Sequence, residues 1–140
     1  KDYEIRRYKA EIYIVKKNQK GQKNYEIIWQ GESEILLPDG VQLNFKKVKG
    51  RGINFKFLDN QKLKIRNRQG GESFKPDSKR PTKKIKQLLQ ESDLPPWERE
   101  FLPLIFIGSE LASVPNFGID IKFQTKPKEV GLVIILGASI

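Results

Sequence analysis

Apolar and polar positions alternate with a period of two through much of this chain. Val41–Phe45 (VQLNF), Ile53–Leu58 (INFKFL) and Ile119–Phe123 (IDIKF) each place an apolar side chain at every second residue. That is the pattern of a strand with one face buried. Leu63 and Ile65 fall on one side of a further strand, and Lys62, Lys64, Arg66 and Arg68 on the other. Shorter runs rich in β-branched and aromatic residues add strands at Ile12–Val15, Tyr25–Gln30, Glu34–Leu37, Leu104–Ile107, Leu111–Val114 and Leu132–Leu136. Turns separate them. Leu37-Pro38-Asp39-Gly40 combines a preset proline φ with residues that tolerate a tight return. Asp59-Asn60, Gly108-Ser109 and Pro115–Gly118 are further turns, and Lys16–Asn24, Lys46–Gly52 and Thr125–Gly131 read as polar loops. Short strands at regular spacing predict a β-rich layer with antiparallel neighbours.

The period changes once. Ile85, Leu88 and Leu89 form an apolar stripe at i, i+3, i+4, which predicts a helix over Lys83–Glu91, about 82–92 with its ends, capped by Thr82. Lys83 lies opposite the stripe, and Lys84 and Lys86 flank it. Three lysines near a helix start oppose its dipole, so their value is expected to lie in something they bind. Asp93-Leu94-Pro95-Pro96 stops the helix, and Pro96 opens a short second one, about 96–101, with Trp97 and Phe101 directed to the core. Gln69-Gly70-Gly71-Glu72 is a turn whose glycines admit positive φ and close approach of a ligand. It is no phosphate loop, since no Gly-Lys-Ser/Thr follows. Phe74 and Pro76 are expected to anchor the loop beyond it.

Charge sharpens the picture. The 140 residues carry a net charge of +10, and residues 62–86 hold ten Lys/Arg against two acids. The remainder is nearly balanced, so the excess is a local patch, which calls for a polyanionic partner. Alternate strand residues are ~6.6 Å apart, a spacing that suits successive backbone phosphates. The candidate nucleic-acid contacts are Lys64, Arg66, Arg68, Lys79, Arg80, Lys83, Lys84 and Lys86. Arg99 either joins them or pairs with Glu98 and Glu100. The alternative is a protein-interaction domain whose basic patch docks on an acidic protein surface.

Other chemistry is poorly provided for. There is no cysteine and no histidine, so disulfides, thiolate metal sites, Cys nucleophiles and the usual general base are excluded. Glu91/Asp93 and Glu98/Glu100 are carboxylate pairs only by proximity in sequence. No stretch has the form of a signal peptide or a membrane span. The length suits one domain over 1–140. With no methionine in the sequence, Lys1 is not a translation start, and a piece of a longer protein is expected.

From Leu63 onward the order of segments resembles the C-terminal domain of bacterial tRNA(Ile)-lysidine synthetase. The likeness rests on Ile65–Glu72 (IRNRQGGE), Phe74-Lys75-Pro76, Lys84–Glu91 (KIKQLLQE), Leu94–Arg99 (LPPWER), Leu102-Pro103-Leu104 and Val114-Pro115. It covers roughly 63–137, and Arg6-Arg7-Tyr8 and the 37–40 turn carry it more weakly upstream. Ser73 stands where the family usually has Arg, and Gln87 where a further Lys is common, while Lys79-Arg80 supply cations nearby. The resemblance implies a small α+β domain, β-rich and sandwich-like, with one main helix and a short second helix. It implies a non-catalytic part of a cytoplasmic, ATP-dependent ligase that joins lysine to the wobble cytidine of an isoleucine tRNA. ATP and magnesium would belong to a catalytic domain with a Ser-Gly-Gly-x-Asp-Ser loop, which this sequence lacks. The implied partners are that tRNA, gripped at its acceptor stem, and the other domains of the same enzyme.

Overall fold

The structure is a computed structural model. It describes residues 3–8, 11–16, 24–76, 79, 81–94, 99 and 101–137, the first two segments as backbone only. Tyr3–Tyr8 (β1) and Glu11–Lys16 (β2) pair as a separate antiparallel ribbon. Then come Glu26–Ile28 (β3), Glu34–Leu36 (β4), Gln42–Lys49 (β5), Ile53–Asn54 (β6) and Leu63–Asn67 (β7). Ser73–Phe74 (β8) and Lys83–Lys84 (β9) precede the helix Ile85–Gln90 (α1). Pro103–Ile107 (β10), Glu110–Val114 (β11), Gly118–Ile119 (β12) and Val130–Gly137 (β13) complete the chain.

The strands form two main sheets. One has the order β12-β11-β10-β7-β3, the other β4-β5-β13-β6. Their inner faces meet in a core that includes Leu43, Phe45, Leu132 and Ile134 from one sheet and Leu63, Ile65, Ile105 and Ile107 from the other. Trp29 closes one side, stacked on Phe45 with ring centroids 5.5 Å apart. The five-stranded sheet is covered on its other face as well. There α1 buries Ile85 and Leu89, and with Phe74 and Leu102 they pack on Leu104, Phe106 and Val114. This explains why β10 is buried at every position. Its odd residues face the sandwich and its even residues face the helix layer, so a central strand reads as a continuous apolar run.

The β-rich α+β architecture thus stands, with several local differences from the sequence pattern. Lys46–Lys49 continue β5 rather than forming a loop, because Val130–Gly137 pairs along the full length of that strand. Ile53–Leu58 is a strand only over its first two residues. Asn54 then accepts a hydrogen bond from Lys56 N–H and starts a 3-10 turn over Phe55–Leu58. Asp120 does the same for Ile121–Phe123. In each case a short polar side chain offers the backbone an alternative to the ladder. The helix begins at Ile85, and Thr82 does not cap it: Lys84 is the cap residue and makes no side-chain cap bond. Lys83 and Lys84 are held extended by pairing with Phe74 and Ser73. The second helix falls largely on residues 95–98 and 100, outside the described residues.

Candidate nucleic-acid interface

Strand β7 builds the site. Its burial alternates strictly: Leu63, Ile65 and Asn67 are buried, while Lys64, Arg66 and Arg68 are half-buried. Asn67 is the one polar residue on the inward side, and it is satisfied there. Its amide donates to Asn24 Oδ1 at 3.0 Å, and its Oδ1 accepts from Tyr25 N–H at 3.1 Å. This fastens the start of β3 to the end of β7. Outward, Lys64 lies across from Phe106 and Ile28, and Arg66 across from Leu104 and Glu26. Leu104 and Phe106 belong to the layer under α1, so Lys64 and Arg66, paired with them, face the helix side of the sheet.

Glu72 joins this strip to the segment that leads into the helix. Its Oε2 lies 3.2 Å from Arg66 Nη1 and accepts from Gln69 N–H at 2.9 Å, and its Oε1 accepts from Gly70 N–H at 2.9 Å. Its carbonyl takes the N–H of Ile85, the first helical residue, at 2.8 Å. Gly70 and Gly71 both have positive φ, 103° and 80°, which turns the backbone N–H groups of the loop inward. Burial pushes the Glu72 carboxyl upward, but the N–H groups of Gln69, Glu72 and Gly70 and the Arg66 guanidinium outweigh it and hold it below the ordinary value. The double-glycine turn is therefore filled by the chain's own carboxylate, not left open for an external anion.

The sequence-predicted cations divide into two groups. Lys64, Arg68, Lys84 and Lys86 make no side-chain hydrogen bond or ion pair with any described residue, and Lys84 and Lys86 are exposed. Others are engaged. Arg66 pairs with Glu72 and has its guanidinium carbon over the Phe106 ring, 4.0 Å from the centroid. Lys83 reaches past the helix to Glu91, with Nζ 2.7 Å from Oε1, and this contact pulls the Glu91 carboxyl below its usual range. Arg99 turns to the backbone, its Nε donating to Leu94 O at 2.8 Å. Lys79 is exposed and already interacts with other groups, and Arg80 lies outside the described residues. The sequence pattern did not single out Glu72, Glu26 or Phe106 as members of the site. An acid directly after two positive-φ glycines was the available signal for Glu72; Glu26 and Phe106 join only through sheet pairing.

Together these features define a small β-rich sandwich whose outward strand and helix approach each carry cations and are fastened to one another by a carboxylate. The chain belongs to the family described as the TilS substrate C-terminal domain, whose model matches residues 63–136, more than half of its length. It is similar to the tRNA(Ile)-lysidine synthase of Nitrosomonas europaea, 42% identical over 110 residues, which is 77% of this chain and 24% of that protein. It is 39% identical to the enzyme of that name from Xanthomonas campestris pv. campestris (strain 8004), over 77% of this chain and 23% of that one. With the Coxiella burnetii protein of the same name it shares 34% over 91% of this chain and 28% of the relative. The chain thus spans about a quarter of the length of these relatives and corresponds to their C-terminal domain. A solved structure, "Crystal structure of TILS C-terminal domain", superposes with a TM-score of 0.67 at 17% identity, over 84% of this chain and all of that one, and shows the same fold. Among the described residues no helix is long and apolar enough to cross a membrane, and no group of three or more Asp/Glu is placed to hold a metal.

Proposed function

We propose that this domain grips the acceptor stem of an isoleucine tRNA while the catalytic part of a tRNA(Ile)-lysidine synthase, using ATP and magnesium, modifies the wobble cytidine. The observation that carries this reading is the set Lys64, Arg68, Lys84 and Lys86. None of them has a carboxylate partner among the described residues, and Glu72 ties their two segments together. Cations left unpaired on a rigid scaffold suit phosphates at regular spacing. Duplex RNA presents such phosphates beside a shallow minor groove. The relatives' name and the family match support the choice of tRNA over other polyanions. In this reading Lys79 and Arg80 extend the grip along the loop before the helix. Lys83 and Arg99 act mainly in holding the domain together.

The test is tRNA affinity as a function of salt. Four neutralised phosphates give a log–log slope of about −3 to −4, so affinity falls about a hundredfold between 50 and 200 mM salt. A flat response rejects the reading. Co-elution with an acidic protein in preference to tRNA would favour docking on a protein surface instead.

A further inference from the structure

Arg66 does not behave as its neighbours on β7 do. Its charge is already met by Glu72 at 3.2 Å, and its guanidinium sits over the Phe106 ring at 4.0 Å. Held at one edge and on one face, it has few rotamers left, yet its side chain keeps 21% of its surface open. What remains is the outer face of a planar, fixed cation. A hollow of about 250 Å³ adjoins it, lined by Glu26, Lys64, Arg66, Phe106, Gly108 and Ser109. That is below the roughly 300–1,000 Å³ of ordinary small-molecule pockets, and it has room for one planar heterocycle.

The composition of this hollow argues against a phosphate. Glu26 stands directly across from Arg66 on β3, exposed and with no side-chain partner among the described residues. Its carboxylate repels an anion in the same space, and Arg66 has little uncompensated charge to attract one. A nucleobase meets neither objection. It can stack on a guanidinium plane, as unpaired RNA bases do, and its amino or imino edge can donate to a carboxylate.

We propose that the Arg66–Phe106 stack is the platform for a single unpaired RNA base. Glu26 accepts from that base's donor edge, and the lysines beside it hold the backbone. The proposal rests on the RNA-gripping reading above and adds a site to it. Arg66 then contributes shape, and Lys64, Arg68, Lys84 and Lys86 contribute charge.

The test uses the 140-residue chain and an RNA hairpin with a short 3′ single strand, compared with the same RNA made abasic at each tail position in turn. Loss of one base weakens wild-type binding about tenfold, the range expected for one stacked base. In R66K, which keeps the charge and can still pair with Glu72, that base-dependent ratio falls to twofold or less, whatever happens to overall affinity. A ratio near one in wild type, or one unchanged in R66K, overturns the platform while leaving the gripping role intact. Failure of wild type to bind any of these RNAs overturns both. A second measurement needs no variant: 4-thiouridine at the sensitive tail position should cross-link to peptides containing residues 64–66 or 106. Cross-links confined to other segments sink the assignment.

Discussion

Glu72 and Arg66 lie on opposite sides of a double-glycine turn, and their side chains meet across it, with Oε2 3.2 Å from Nη1. The same carboxylate receives two loop N–H groups, and the same residue's carbonyl receives the first N–H of the helix. One residue thereby couples the basic strand, the loop and the basic approach to α1.

Replacing Glu72 by Gln should therefore cost stability in a pH-dependent way. The substitution leaves Arg66 and two loop N–H groups poorly matched, a loss of about 1–3 kcal/mol near neutral pH. The Glu72 carboxyl titrates lower in the folded protein than in the unfolded chain, where it lies near 4.5. Its stabilising contribution is thus complete above that value and fades as pH falls through the folded value. Urea unfolding of both proteins from pH 7 down to pH 3 should show their difference shrinking only below about pH 5. A difference that stays constant over that range would contradict the clasp.

Lys83 and Lys86 are close in sequence but differ in what they face. Lys83 is paired with Glu91, whereas Lys86 has no described partner. Lys86→Ala should weaken tRNA binding severalfold and reduce the salt slope by about one. Lys83→Ala should do less. Glu91→Gln, which releases Lys83, should tighten binding two- to threefold at low salt, an effect erased at high salt. Filter binding or anisotropy titrations at two ionic strengths decide it, and equal losses for the two lysines would count against the partition.

Leu89 is 1% exposed between the helix and the five-stranded sheet. Leu89→Ala should remove about 2–5 kcal/mol of stability, lowering the denaturation midpoint without changing the sandwich core. Because α1 has only six residues, it has little intrinsic helix stability. The variant should also lose helical dichroism before the sheets unfold.

Tyr25 carries its hydroxyl into the core with no hydrogen-bond partner among the described residues. Burial, with the Asp39 charge adding to it, pushes its phenol well above the ordinary range. Tyr25→Phe removes the unsatisfied group while keeping the ring, so it should be neutral or stabilising by about 1 kcal/mol. A substantial loss in thermal unfolding would show that the hydroxyl has a partner in solution.

Features governed by neighbouring residues were legible from the sequence. The Gly108-Ser109 hairpin joins β10 and β11 where the turn residues put it. Leu63 and Ile65 are buried as the alternation demands, and the cations of β7 face the other way. Features governed by distant pairing were not. Lys83 and Lys84 carry helical periodicity toward Leu88, yet a two-residue ladder with Ser73 and Phe74 holds them extended. Glu129 lies 75 positions from Asn54, but its carboxylate accepts from the Asn54 amide at 2.8 Å and helps hold the strand's abrupt end.

By itself the sequence determined which faces are apolar, where hairpins close and that the surplus positive charge is concentrated in one stretch. All of these follow from steric preference, side-chain transfer to a core and simple counting. Only the tertiary structure decided which cations stay available. Arg66 and Lys83 find carboxylates through chain geometry, six and eight residues away, while Lys64, Arg68, Lys84 and Lys86 find none among the described residues. Coulomb attraction depends on distance in space, and that distance exists only once the sheets have brought the segments together.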